Sequence, residues 1–359
     1  MHSQRNKLDF TGQNVYIGFD VHKKSWKVSI LLEKLFHKTF SQDPKPELLY
    51  HYLKKNFPGA NYYSAYEAGF CGFWIHYALT SLGVNSIVVN PADIPTTFKE
   101  IIQKEDSRDS LKIAKALRNG QLRAIFVPKN TTCDDRALIR ARTTLTRDLA
   151  KNKNRVKGFL NFQGIEIPQE HKYRSQIWSK TFIKWLESLK LGSSSGNEAL
   201  SIFIEECKSL RSAKLKVTRK IRALSITESY KQNTELLQTV PGVGLITAME
   251  ILTELETINR FKNIDHFASY IGLIPSTHSS GENDVVGNIT SRGQQTLRSA
   301  IVESSWVAVR TDAALSQKYI ELLARMLPQK AIIRIAKKLL SRIYFVLKNK
   351  QPYQCLIVQ

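Results

Sequence analysis

The chain predicts an α/β sheet of RNase H-like order at its N-terminus, a long basic helical region, and a mainly α-helical C-terminal part. Three observations predict this. Residues 14–40 read as three short strands in succession, after which helix and strand alternate as far as Val127; that order belongs to an RNase H-like sheet. Beyond Pro128 the apolar period changes to near-heptad spacing on long helices. The charge is also lopsided, with 53 Lys and Arg against 31 Asp and Glu over 359 residues, a formal +22. Such an excess repels itself unless a polyanion neutralises it, and nucleic acid is the expected one, ahead of an anionic membrane surface.

Residues 1–13 are polar and expected to fray. Val15, Ile17 and Phe19 alternate with Tyr16 and Gly18, giving a first strand that ends on Asp20. Ser25–Leu32 and Leu35–Phe40 continue an antiparallel meander, and a helix follows over Pro46–Asn56. Tyr62–Tyr66 is a fourth strand running into Glu67, Gly72–Leu82 a helix, and Ser86–Val89 a fifth strand stopped by Asn90-Pro91. Asp109–Leu117 is amphipathic, and Ala124–Val127 is expected to add a strand before Pro128.

In the helical region, Leu138, Ala141, Leu145, Leu149, Val156 and Leu160 share one side of a helix whose other faces carry Arg140, Arg147, Lys151 and Arg155. A solvated face is the plain reading of such charges. Their single sign over several turns suits nucleic-acid backbones. Leu191–Gly196 reads as a flexible Gly/Ser connection, and a second basic helix starts near Asn197. The expected result is a helical hairpin paired with itself or with another subunit. The domain boundaries are therefore 1–13, 14–128, 129–233 and 234–359. The last is helical but for a Gly/Ser-rich loop over Gly272–Gly293.

Three places can carry chemistry. Asp20 and Glu67 end strands that neighbour each other in an RNase H-like sheet, and Asp106 and Asp109 share a helix face three residues apart. Four such carboxylates suit two Mg²⁺ ions astride a phosphodiester. Helix capping by Asp106, dipole pairing by Asp109, and a Glu105–Asp109 pair remain alternatives. The second place is Val240-Pro241-Gly242-Val243-Gly244, a Gly-rich turn before a helix. It resembles the hairpin of helix-hairpin-helix motifs, where exposed N–H groups of Gly242 and Gly244 meet a phosphate; an ordinary helix–helix turn fits too. The third place is Pro275–Gly281, followed by Arg292-Gly293 and a helix carrying Arg298. There a serine, Ser279 or Ser280, can act as nucleophile beside an arginine clamp, or the segment is simply a turn.

No apolar run approaches the roughly 18 residues of a spanning helix. The four scattered cysteines form no Cys-x-x-Cys pair and the eight histidines no ligand spacing, so a reducing cytoplasm without structural zinc is expected. No phosphate-binding Gly-x-x-x-x-Gly-Lys-Ser/Thr run is present for ATP.

Taken together, Ile17–Val21, Glu67-Ala68-Gly69, Asp106-x-x-Asp109, Pro241–Gly244, Phe267–Pro275, Ser280-Gly281 and Arg292-Gly293 before Leu297-Arg298 are similar to the DEDD-type transposases of bacterial insertion-sequence family one-ten, also called bridge-RNA-guided recombinases. The resemblance runs from Tyr16 to about Lys350. It implies a RuvC-like first domain, a coiled-coil insertion and a C-terminal transposase domain. It assigns the acidic tetrad to Asp20, Glu67, Asp106 and Asp109, with Mg²⁺, and the nucleophile to Ser280. It further implies donor and target DNA, a structured noncoding bridge RNA that chooses both, and a homodimer or homotetramer. The alternatives are a RuvC-like nuclease or junction resolvase using the same carboxylates, and a non-catalytic nucleic-acid scaffold.

Overall fold

The computed structural model describes residues 9–95, 106–173, 177–280 and 283–355, with no side-chain account for 106, 107, 277–280 and 283–286. Glu105, Gly281 and most of the expected N-terminal tail lie outside the described residues. Contacts divide the chain into two compact units, Met1–Val127 and Pro128–Gln359.

The first unit is a five-stranded sheet built from β1 (Asn14–Val21), β2 (Trp26–Leu32), β3 (Phe36–Gln42), β4 (Asn61–Glu67) and β5 (Asn85–Val89), in the order β3-β2-β1-β4-β5. β1 pairs antiparallel with β2 and parallel with β4, so the meander-then-crossover order expected of an RNase H-like sheet is present. Alternation sorts the two faces. Val15, Ile17 and Phe19 point with Tyr62, Ser64 and Tyr66 toward α1 (Pro46–Asn56) and α2 (Trp74–Ser81), where Leu49, Leu53, Ile75 and Leu79 close the core. Tyr16, Gly18 and Asp20 take the other face, under α3 (Asp106–Arg118). There Ile113 packs on Ala65, Val89 and Ile94.

Gly18 is what brings α3 down onto β1. A Cβ at this position would lie 2.2 Å from the Ser110 carbonyl oxygen and 2.4 Å from the Ala114 nitrogen. Beside it, Ser110 Oγ and Ser29 Oγ share a buried hydrogen bond of 2.9 Å, and Ser29 sits opposite Gly18 in the register. The strand expected over Ala124–Val127 reduces to one bridge, Val89 with Ala124, plus the Ile125 N–H donating to the Val88 carbonyl. Pro128, which has no N–H to donate, ends the run.

The second unit begins with α4 (Asn130–Phe162), 33 residues or about 50 Å long. After a single turn at Gln169–Lys172 come α5 (Lys180–Ser188) and α6 (Ser194–Ser225), which packs antiparallel on α4. The Asn152 amide donates to the Phe203 carbonyl at 3.0 Å, and Arg142 Nε donates to Thr218 Oγ1 at 3.1 Å. The hairpin is thus paired with itself. The expected Gly/Ser connection is an ordered helix start: Ser193 caps Gly196, and the Asn197 side chain holds both backbone groups of Leu191. Ser193 serves as the cap of a segment that composition alone read as slack.

The outer part of the hairpin has its own cluster, with Leu149, Val156, Phe182 and Leu200, and its base joins a larger core. Ile139 and Ile221, at its base, belong to the same core as Leu237, Leu252, Ile301 and Leu339. That core is enclosed by α7 (Lys231–Gln238), α8 (Leu245–Leu255), α9 (Ile264–Ile271), α10 (Gln295–Thr311), α11 (Ala313–Leu323) and α12 (Pro328–Asn349). Between α9 and α10 the expected loop is instead a β-hairpin, β6 (Pro275–Ser280) and β7 (Asn283–Ile289), paired antiparallel. Serines and glycines hid a strand whose partner carries β-branched Val285, Val286 and Ile289. Among the described residues no helix is long and apolar enough to cross a membrane.

Candidate active site

The parallel register of β1 with β4 ends at Phe19 opposite Tyr66. The next residues in each strand are Asp20 and Glu67, so both carboxylates leave the sheet at the same end of adjacent strands, on the face that α3 covers. Asp109 lies in the first turns of α3, one residue before Ser110, whose carbonyl rests over Gly18. Asp106 heads the same helix, and its side chain lies outside the described residues. Three of the four expected ligands are therefore set by one strand pair and the helix pressed on it.

Asp20 and Asp109 each have a basic neighbour. His22 Nε2 is 3.2 Å from Asp20 Oδ2, and Lys112 Nζ is 3.7 Å from Asp109 Oδ1, one helical turn on. His22 did not stand out in the sequence, because a lone His after a strand carries no spacing signal. Among the described residues, no three His, Cys, Asp or Glu side chains converge on one point for an ion. The donor set itself fits a hard dication, since every donor is a carboxylate oxygen.

The serine candidates fall on the hairpin. Ser280 is the last residue of β6, opposite Asn283, and Ser279 is opposite Asp284. The base of this hairpin is fastened tightly. Arg298 Nη1 donates to the carbonyl oxygens of Thr290 at 2.6 Å and Gly272 at 3.2 Å. The Gly272 N–H and the Leu273 N–H both return to the Ala268 carbonyl, closing α9. Arg298 thus has backbone partners in this structure, as a staple for the segment that carries the serine. Arg292 is exposed.

The turn at 240–244 joins α7 to α8. Gly242 adopts φ +83°, and a Cβ there would meet the Ser304 carbonyl oxygen at 2.1 Å, so this glycine lets the turn seat against α10. Gly244 is the N-cap of α8, with open space where its Cβ would be.

The basic residues of α4 divide. Arg147 is exposed, and Lys151 is a loose 3.9 Å neighbour of Asp148. Arg155 reaches Glu206 on α6 at 2.9 Å. Arg140 is exposed but engaged: its guanidinium forks onto the buried Glu254, with Nε at 2.8 Å and Nη2 at 3.0 Å, and Arg136 Nε lies 3.4 Å from the same carboxylate. Glu250, one turn before Glu254, is raised to about 7, first by burial and then by the Glu254 charge, against the pull of Arg142 and Arg140. This acid pair escaped the sequence reading because the helix Leu245–Leu255 looks apolar, and only the tertiary fold lays it against α4.

Strand-end carboxylates on an RNase H-like sheet, joined to a strongly basic helical unit, define the class: an enzyme acting on nucleic acid. Comparison with known proteins narrows it. Residues 17–163 match the family model of DEDD transposases of the IS110 type, and residues 234–321 match that of the transposase IS116/IS110/IS902 family. The chain belongs to this family of transposases. It is 28% identical over 244 residues to the putative transposase y4qE of Sinorhizobium fredii, an alignment covering 68% of this chain and 58% of that one. It is 28% identical over 258 residues to the transposase for insertion sequence element IS1533 of Leptospira borgpetersenii, covering 71% and 72%. Over 133 residues it is 29% identical to the pilin gene-inverting protein of Moraxella bovis, covering 36% and 41%.

Proposed function

We propose that the chain is an RNA-guided DNA recombinase that excises and inserts its own insertion sequence by strand exchange through a phosphoserine. The observation that carries the reading is the placement of Asp20 and Glu67 at one end of adjacent parallel strands, beneath the helix that bears Asp109. Asp20, Glu67, Asp106 and Asp109 would hold Mg²⁺, in two ions. When bound, the metal supplies Lewis-acid polarisation of a phosphoryl oxygen. Ser280 Oγ attacks the DNA phosphorus as its proton departs; the Oγ–P bond forms, the P–O bond to one sugar breaks, and that sugar oxygen is protonated. A sugar hydroxyl of the other DNA then attacks the phosphoserine and frees Ser280. Bond energy is conserved at each exchange, so ATP has no part in it.

The name of the Moraxella bovis relative, a pilin gene-inverting protein, supports a reaction that rejoins what it cuts. Arg147, Lys151, Arg155 and Arg292 are exposed cations able to meet donor DNA, target DNA or the bridge RNA along their backbones. Gly242 and Gly244 open a helix toward a phosphate in the same reading. A homodimer or homotetramer brings two DNA sites together. A second reading, a RuvC-like nuclease or junction resolvase, is favoured by one fact: Asp20, Glu67 and Asp109 all lie within the first unit.

The test is a denaturing gel of protein with element RNA, donor and target DNA and Mg²⁺, comparing wild type, Ser280→Ala and Ser279→Ala. A protein–DNA adduct lost only with Ser280→Ala is the expected result. Cleavage without an adduct, untouched by either change, overturns recombination in favour of the hydrolase. A reaction indifferent to Asp20→Ala removes the acidic site from it.

A further inference from the structure

Between the base of the β6–β7 hairpin and the first half of α12 lies a groove of about 820 Å³. Its floor is apolar, formed by Ile274, Pro275, Ile289 and Ile333. Its rim on α12 is basic. Lys330, Arg334, Lys337 and Lys338 follow one another at helical spacing, a stripe about 12 Å long. Lys337 is engaged with Asp265 at 3.0 Å. Lys330, Arg334 and Lys338 are exposed, and among the described residues none of them has an acidic partner within ion-pair reach.

Three exposed cations beside an apolar trough, with Lys338 also near enough to Glu321 to help Lys318 hold that carboxyl low, ask for a ligand with both characters, anionic along one edge and flat and apolar along the other. A nucleic-acid strand has them in its phosphates and its base faces. In a duplex those faces are stacked and paired inside, so an apolar floor is matched only by unpaired bases. The volume is that of a cleft for a small organic ligand, which suits a few nucleotides.

We propose that this groove holds an unpaired stretch of the DNA strand being cut, its phosphates on Lys330, Arg334 and Lys338 and its bases against Ile274, Ile289 and Ile333. The proposal rests on the reading of Ser280 as nucleophile. β6 leaves the groove at Pro275 and ends at Ser280. Five strand steps put the serine about 17 Å from the groove. DNA advances about 3.4 Å per nucleotide along a strand, so the bases in the groove lie about five nucleotides from the scissile phosphate, or fewer where the strand is extended. DNA is favoured over RNA because the groove and the serine are two ends of one hairpin, and a strand lying in the first leads to the second.

The experiment uses the full chain with DNA carrying a photoreactive thymidine at each of ten successive positions from the crossover. Cross-linked peptides are then mapped in wild type, in Lys330→Ala/Arg334→Ala/Lys338→Ala and in Ile333→Glu. Thermal melts confirm that each variant is folded; the three cations are exposed, so their loss should leave the melt unchanged. The expected result is a cross-link to residues 273–275, 287–289 or α12 from positions five or nearer. The triple variant should abolish it, weaken single-stranded DNA binding more than tenfold, and reduce the salt slope by up to about 2.1. Ile333→Glu should abolish the cross-link with the rim intact. Cross-links mapping elsewhere, or an unchanged salt slope, overturn the proposal. So does RNA of the same sequence displacing the DNA, which makes the groove a guide site, or a changed subunit count with DNA binding intact, which makes it a protein interface. Ser280→Ala run in parallel separates the two ideas: a persistent cross-link without any wild-type adduct defeats the nucleophile and leaves the strand site standing.

Discussion

Gly18→Ala offers a sharp test of how the acidic site is built. The added methyl would sit 2.2 Å from the Ser110 carbonyl oxygen and 2.4 Å from the Ala114 nitrogen, where ordinary contact begins at 3.4 Å. Both obstacles are backbone of α3, so no side chain can swing away, and the helix must retreat by about 1 Å. Overpacking of this kind costs about 1–3 kcal/mol, a drop of several degrees in the melting temperature of the first unit. The functional loss should exceed the stability loss. Asp109 rides on the displaced turn while Asp20 and Glu67 stay with the sheet, and a shift near 1 Å in a reacting group costs on the order of 100-fold in rate. The assay is single-turnover strand cleavage at saturating Mg²⁺, below the melting transition. Gly158→Ala is the control: that glycine lies inside α4 with open space around it, and Ala there should stabilise by up to about 1 kcal/mol with cleavage unchanged. Gly18→Ala cleaving at the wild-type rate, with an unchanged melt, would falsify the close seat of α3 and the shared face of the three acids.

Further outcomes follow from other contacts. Glu250 holds its proton to about pH 7 in the fold, against an ordinary 4.5. Between those values the native state binds a proton that the unfolded chain has released, so its contribution is fully present below pH 4.5 and is lost as pH rises toward 7. Glu250→Gln should flatten that decline and stabilise the protein at pH 8 by an amount on the order of 3 kcal/mol, read from denaturant melts at pH 5 and 8. Asp312 is fully buried and holds Arg342 at 2.9 Å, the Tyr353 hydroxyl at 2.8 Å and the Leu315 N–H at 2.8 Å. Asp312→Ala should cost about 3–5 kcal/mol, because Arg342 is left without its partner; a melt within a degree of wild type would contradict this. Arg298→Ala frees the hairpin base from Thr290 and Gly272, and should suppress adduct formation while DNA affinity measured by anisotropy changes less than threefold. Equal loss of both would return Arg298 to a phosphate-binding role.

Much of this protein was readable without coordinates. The alternation in Val15, Ile17 and Phe19 and the meander that follows already required the order of the sheet, because period two and short connections allow few topologies. The carboxylates at the ends of β1 and β4 follow from the same logic: once those strands are neighbours in parallel register, Asp20 and Glu67 must emerge together. Excess charge and heptad spacing likewise announced a basic helical hairpin.

Tertiary structure decided the rest, because it concerns which faces meet. Whether Arg140 belongs to solvent or to Glu254 depends on how α8 lies against α4, separated by 114 residues of chain. The hairpin β6–β7 was concealed by Ser and Gly, whose local preference for turns yields to a ladder and to the Arg298 staple. Asn197 and Ser193 turned a supposedly slack connection into a helix cap through bonds no composition could reveal. The groove beside α12 combines residues near 274, 289 and 333. Periodicity within one segment carries no information about such a meeting, since the burial that creates it is a property of the packed core and not of the local chain.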